Sequence, residues 1–458
     1  MRPALSLAPA LSLLDRRPEL LFDIEVAVVT PLFGGGPVAR QTDPYQPVRA
    51  SSIRGHLRFW WRACRAARFA SSEDLFREEE RIWGSTKRPS RVVIAVRCLD
   101  VGREVACATY RRGGDGKLKG PDWHRDPSTG AQFPAYALFP FQGEIEYGQL
   151  KRQPDKARIG VRFGLQITVT DEALAPERGM LPPLATDEIA REVRAALWAW
   201  LSFGGVGSRT RRGCGSLACA DPAFTPSGDP VAWLLARAAE HVISGTPRLP
   251  LPVLTGAKLL LGQEDSPLAC WGTAVKLMSD FRQRPGFARN DINPETRRPG
   301  RSRWPEPDAI RRIADAKDPR HDPVHPAERY FPRADLGLPI VFHFQGERDL
   351  KDGPILAAEM KDATRMASPV VLKPFALGGG TFRPMALLLQ APHVWDKDIS
   401  VSLKLKRQPD RPISGAALFS RRASTLVSPL KTNEKDTARM AFMRFAEKEW
   451  KRQLETLP

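Results

Sequence analysis

The sequence predicts an α+β fold of two tandem ferredoxin-like (RRM-like) domains, the second degraded. Over residues 18–222, short period-2 runs and longer amphipathic runs follow one another in the order β-α-β-β-α-β. A glycine- and arginine-rich loop, Gly204–Gly215, follows the second helix of that unit. Beyond Pro222 similar runs recur around a long irregular connection over residues 284–328, which gives a second domain over 223–458.

The first strand is read from Phe22, Ile24, Val26 and Val28 alternating with Asp23, Glu25 and Ala27, one face buried. Gly34-Gly35-Gly36-Pro37 ends it. A helix starts at Ser51-Ser52, where serine can cap free N–H groups, and runs to about Phe69. Its apolar stripe is Ile53, Leu57, Trp60, Cys64 and Ala67. Val92, Ile94, Val96 and Cys98 form a second strand, and Phe163, Leu165, Ile167 and Val169 a third. The insertion between them, 99–158, reads as a long mobile loop. A second helix follows Thr186, with Ile189, Val193, Leu197, Trp200 and Leu201 on one face, and Ser216–Ala220 is a short strand.

In the second half, Leu251–Leu261 predicts a strand and Pro267–Phe281 a helix. Leu338, Ile340, Phe342 and Phe344 alternate as a strand, and Gly378-Gly379-Gly380 marks a hairpin. Ile399, Val401, Leu403 and Leu405 alternate again, and a final helix spans about Asn433 to Glu455.

Composition narrows the function. The 458 residues hold 70 Lys plus Arg against 52 Asp plus Glu, a formal charge of +18. Arg outnumbers Lys about three to one, which favours forked phosphate contacts over diffuse charge. A hydrophobic share of 42% with 11 Trp excludes a disordered chain. No apolar run approaches the ~18 residues of a membrane span, so no membrane partner is expected. Six Cys without a C-x-x-C pair point to a reducing cytoplasm. Met1–Leu14 is apolar, but Pro3 and Pro9 interrupt it and no A-x-A-like cleavage site appears, so a frayed tail, or a start codon called too early, is expected there instead of a signal peptide.

Two clusters suit nucleic acid. Arg54, Arg58, Arg62 and Arg65 share one helix face, with no acidic residue from Ser51 to Ala70, a row suited to spaced phosphates. Trp61, between that row and the apolar stripe, is a candidate for stacking on a base; Trp60 belongs to the core. The loop Gly204-Gly205-Val206-Gly207-Ser208-Arg209-Thr210-Arg211-Arg212-Gly213-Cys214-Gly215 combines glycines, which let backbone approach a ligand, with three fixed cations. It lacks the Gly-Lys-Ser/Thr ending of a Walker A loop, and its glycines follow a helix where a dinucleotide fingerprint has them before one. His321-Asp322-Pro323-Val324-His325 has i,i+4 histidines, but Pro323 opposes a helix and no third ligand lies nearby; no metal or cofactor is expected.

Thr30-Pro31-Leu32-Phe33-Gly34-Gly35-Gly36, Ser52-Ile53-Arg54-Gly55-His56-Leu57-Arg58-Phe59-Trp60-Trp61-Arg62-Ala63 and the Gly204–Gly213 loop together resemble the RAMP superfamily. Within it they look most like the first Cmr subunits of type III-B CRISPR effector complexes. Gly300–Arg311, Leu336–Phe344 and Arg365–Pro369 add to the likeness. The resemblance implies a non-catalytic subunit of tandem RAMP domains in an antiviral ribonucleoprotein. It would contact the 3′ region of the guide RNA, help admit target RNA, and sit beside other Cmr subunits. Carried over residue by residue, the implied RNA-facing positions are Arg54, Arg58, Arg62, Gly205, Gly207, Arg209, Arg211 and Arg212. The alternative is a RAMP endoribonuclease acting through Asp43, in the loop after the first strand, or through His56 as general base.

Overall fold

The structure, a computed structural model, describes residues 18–36, 38, 40–114, 116–170, 181–297, 300–316, 323–344, 350, 353–360, 364–396, 398–406, 408–431 and 437–458. Alternation in the first strand has the expected result. In β1 (Glu19–Val28), Ile24, Val26 and Val28 point into the core while Asp23 and Glu25 face water. After it come α1 (Ala50–Arg65), α2 (Ser72–Trp83), β2 (Val92–Asp100), β3 (Arg162–Val169), α3 (Thr186–Phe203) and β4 (Leu217–Cys219). The sheet runs β4-β1-β3-β2, antiparallel throughout. Ile24 lies opposite Leu165, and Leu165 opposite Val96, so one apolar row crosses three strands. Helices α1 and α3 pack against each other over this row.

The second half repeats the pattern. After α4 (Pro230–His241) it contains β5 (Val253–Leu261), α5 (Pro267–Gln283), α6 (Glu306–Ile313), β6 (Val370–Gly378), β7 (Thr381–Gln390), α7 (Ala438–Trp450) and β8 (Glu455–Thr456). Its sheet runs β6-β7-β5-β8. In both sheets the fourth strand lies beside the first, then the third, then the second, the order expected of a split β-α-β unit. The last strand of this sheet, β8, has only two residues. A further four-stranded sheet combines Ile340–Val341 and Ile355–Glu359, before β6, with Ser400–Lys404 and Arg411–Ile413, after β7. One hydrophobic core runs through both units, joining Trp61, Trp198 and Trp200 to Val253, Leu259 and Leu387.

Several expectations need correction. Helix α1 begins one residue before Ser51, with Arg49 at the N-cap and no side-chain cap, and at Arg65 it gives way to a 3₁₀ turn, Ala66–Arg68. Helix α2 was not anticipated, although Ser71 caps it by accepting from Asp74 N, and Glu73 and Asp74 fill its first turn. The same holds for α4, which Asp229 caps ahead of Pro230. The insertion is structured: Arg103–Ala106 pairs with Lys156–Ile159, Ala108–Arg112 with Leu118–Trp123, and Glu144–Glu146 with Gln149–Arg152. Its buried Cys107, Phe133 and Leu138 pack on Phe33 and Trp271 from the two main units. The irregular connection holds α6 and a buried Trp304, whose ring lies 5.5 Å beneath the Arg333 guanidinium. Of the Leu338–Phe344 alternation only Ile340–Val341 is strand. The last helix is Ala438–Trp450; residues 432–436 lie outside the described residues.

Candidate nucleic-acid interface

The arginine row on α1 is compensated from elsewhere in the fold. Glu79 of α2, only 2% exposed, receives Arg58 Nε at 2.6 Å and Arg62 Nη2 and Nε at 2.7 and 2.8 Å. Arg54 reaches the rim of β2, donating to Ser90 Oγ at 2.6 Å and Val92 O at 3.0 Å. Arg65 donates to Glu192 at 2.8 Å and to the His241 carbonyl. The expectation of an unpaired row fails because its partners lie beyond the helix in sequence. Trp61 is fully buried, its indole N–H donating to Glu192 at 2.6 Å, so it has no face to offer a base. Trp60 is in the core as expected, 4% exposed, and also borders a cleft.

The glycine-rich loop after α3 is where the predicted site residues converge. Helix α3 ends at Phe203, and the chain turns back beneath the Thr30–Gly36 loop. Thr30 Oγ1 donates to Gly213 O at 2.6 Å, Gly215 N to Pro31 O at 3.0 Å and Ser208 N to Phe33 O at 2.8 Å. Such close layering needs glycine. Gly207 has φ +79°, and a Cβ there would lie 2.5 Å from Phe33 O; at Gly215, φ +62°, it would lie 1.9 Å from Val206 O. Gly205 is buried against the Gly215 carbonyl. Arg209 is held at φ +59°, a conformation uncommon outside glycine.

The second unit grips the same loop. Arg211 donates to Ser368 O, Arg212 to Val370 O at 2.9 Å, and Trp271 Nε1 to Arg212 O at 2.6 Å. Lys373 of β6, fully buried and absent from the sequence-based candidates, places its ammonium against Ser202 O at 3.1 Å and Gly204 O at 2.9 Å at the C-terminal end of α3. Burial pushes this group down to about 7.

Around the loop the charges are nearly all of one sign. Burial holds the Arg212 guanidinium down to about 10, and the neighbouring Arg209, Arg282 and Arg211 push the same way. Arg282 donates to Tyr136 OH at 3.0 Å. Arg333 lies within the field of Arg282, and burial lowers it as well. Among the described residues, Glu306, 3.1 Å from Arg333 Nε, is the one carboxylate ion-paired with any of these five arginines. Arg209 Nε is buried and makes no hydrogen bond among the described residues. Arg282, Arg333 and Tyr136 escaped the sequence reading because they come from three other parts of the chain.

Beside the loop a cleft of about 200 Å³ opens between α1, the end of α3 and the second sheet. His56, Phe59 and Trp60 form one wall, Gly204, Gly205, Thr210 and Arg211 another, and Val371 and Leu389 the floor. The Arg211 guanidinium sits 5.5 Å over the Phe59 ring. Burial lowers the His56 pKa, so the imidazole is neutral at neutral pH.

Asp43 lies away from this cleft. Its carboxylate accepts from Tyr45 N and Gln46 N, both at 3.0 Å, and faces Arg49 at 3.5 Å. Those backbone donors, followed by Arg49, hold its pKa below the usual range, as suits a turn-forming carboxylate. No group of three metal-ligating side chains occurs among the described residues. His325 accepts from Ala327 N at 3.0 Å, while His321 lies outside the described residues. No helix among the described residues is long and apolar enough to cross a membrane.

Parts of the chain resemble known proteins. The family model of the RAMP superfamily matches residues 25–218, from β1 through the glycine-rich loop to β4. The Cmr subunit Cmr1-2 of the Pyrococcus furiosus CRISPR system is 27% identical over 206 residues, 43% of this chain and 94% of that protein. Cmr1-1 of the same organism is 28% identical over 177 residues, 38% of this chain and 41% of that protein. Among solved structures, Pyrococcus furiosus Cmr1 is 15% identical with a TM-score of 0.42, covering 94% of this chain and 97% of that one. A chain of the type III-B Cmr-beta complex bound to cognate target RNA is 12% identical with a TM-score of 0.43, covering 81% and 95%. Residues 25–218, which hold the first sheet and the loop already described, match the RAMP superfamily, and part of the chain is similar in sequence to Cmr1 subunits.

Proposed function

We propose that this chain is the RNA-binding first subunit of a type III-B Cmr ribonucleoprotein in the cytoplasm, built of domains 18–222 and 223–458. It contacts the 3′ region of the guide RNA, target RNA, or both, alongside other Cmr subunits. The observation that carries this reading is the convergence of Arg209, Arg211, Arg212, Arg282 and Arg333 with, among the described residues, only Glu306 paired to any of them. Like charges gathered at this density repel, and an RNA phosphodiester supplies the missing anion while releasing counterions. Gly205 and Gly207 let the loop pack closely on Gly215 and Phe33, which sets the turn that carries these arginines. Arg54, Arg58 and Arg62 serve the α1–α2 packing and flank this surface instead of forming it.

The role is binding and not cleavage: the Asp43 carboxylate is committed to its own turn and to Arg49. The test is titration of single-stranded RNA with the purified chain across salt concentrations. Affinity should fall by roughly 0.7 log units per contacted phosphate for each tenfold rise in salt. Arg209→Ala with Arg282→Ala should lower both affinity and slope. A flat salt response, or an unchanged slope in that variant, contradicts the proposal. In the assembled complex, Asp43→Ala should leave every target-RNA cut in place; loss of one cut with normal RNA binding would establish the endoribonuclease instead.

A further inference from the structure

Three polar groups face the cleft beside the glycine-rich loop without a protein partner. The ring nitrogens of His56, the indole N–H of Trp60 and the hydroxyl of Thr210 make no hydrogen bond among the described residues. None of the three is sealed from solvent as an orphaned buried atom. A packing defect would be apolar and dry, whereas this cleft keeps donors and acceptors available.

The other walls are flat. Phe59 and Trp60 meet edge to face with centroids 5.0 Å apart, and the planar Arg211 guanidinium lies over Phe59. Aromatic rings and arginine planes are the surfaces on which single-stranded bases stack. The cleft, about 200 Å³ and open to solvent on one side, has room for a nucleobase.

The geometry points to a subsite for one unstacked RNA base, its ring against Phe59 and Arg211 and its hydrogen-bonding edge against His56 and Thr210. Arg209 and Arg212 flank Thr210 and Arg211 in the same turn, so the phosphates of that nucleotide meet the arginine cluster. The inference rests on the RNA-binding reading above and adds a contact that phosphates cannot provide.

The experiment uses the full chain and two short RNA strands. One is abasic throughout; the other carries a single internal 2-aminopurine on the same abasic backbone. Wild-type protein should bind the strand with the base about fivefold to a hundredfold more tightly, the range of one stacked base, with a change in 2-aminopurine emission. Thr210→Val and His56→Leu should each lose part of that gain while binding the fully abasic strand as before. The first variant keeps the test independent of packing, since His56 also stacks on Trp200 at 6.3 Å. Equal affinity for the two strands overturns the base subsite and leaves RNA binding standing. Failure of both strands to bind at low salt overturns the RNA-binding reading itself, and the subsite with it. A third arm uses free nucleoside 5′-monophosphates; binding as tight as that of the strand would overturn the proposal in favour of a mononucleotide site.

Discussion

Replacing both Arg58 and Arg62 by alanine should destabilise the protein before it affects RNA. Glu79 is 2% exposed and takes three charge-assisted hydrogen bonds of 2.6 to 2.8 Å from these two guanidinium groups. Removing both donors strands a carboxylate in the α1–α2 interface. Breaking a buried ion pair from one side costs about 3–5 kcal/mol. The arginines are 29% and 37% exposed, so water screens part of their interaction, and about 2–4 kcal/mol is the expected loss. Arg62→Ala alone removes two of the three bonds and should cost more than Arg58→Ala. Each single variant should cost less than half of the double, because the remaining arginine still covers the carboxylate. Adding Glu79→Leu to the double variant should recover most of the loss, since no charge is then left without a partner. Urea unfolding followed by tryptophan fluorescence measures all four variants, with RNA affinity measured in parallel. A double variant that unfolds like the wild type yet loses RNA affinity would refute the reasoning and return these arginines to an RNA-facing row.

Two other expectations follow from the loop and its support. Burial depresses the Lys373 pKa to about 7, so the unfolded chain binds the extra proton above that pH and stability should rise with pH from about 7 upward. Subtracting the profile of Lys373→Met isolates this contribution, up to about 2 kcal/mol between pH 7 and 9; parallel profiles would show that the ammonium stays charged inside. Gly215→Ala forces a methyl to 1.9 Å from Val206 O at φ +62° and should cost more than about 2 kcal/mol. A neutral effect on the melting temperature would mean that the loop relaxes freely.

Legibility in the sequence followed the range of each interaction. The strands β1 and β3 were plain because Ile24, Val26, Leu165 and Ile167 alternate over many residues, and the hairpin at Gly378–Gly380 announced itself by composition. The Gly204–Gly215 loop was recognisable by its run of glycines and arginines; Val206 constrains Gly215 from within the loop, whereas Gly207 is constrained by the distant Leu32 and Phe33. Glu79 was not, since nothing in residues 51–70 says which acid another helix will bring. Trp60 and Trp61 are adjacent, and only the position of α3 decides that Trp61 is enclosed. Cys107 and Phe133 looked like loop residues because their apolar neighbours, Phe33 and Trp271, belong to distant elements.

The handshake between the units at the glycine-rich loop bears on how the chain can be divided. The family-matching stretch ends at residue 218, yet Ser368, Val370 and Lys373, which fasten its loop, lie about 150 residues further along, and Trp271 lies between. A shortened protein ending near Pro222 would keep every motif by which the superfamily is recognised and lose the anchors that hold Arg211 and Arg212. During synthesis, too, the loop reaches its final shape only after β6 has emerged. Ribosomal order therefore separates the completion of the first sheet from the completion of the surface beside it. A newly made chain passes through an interval in which this arginine-bearing loop is present but not yet set.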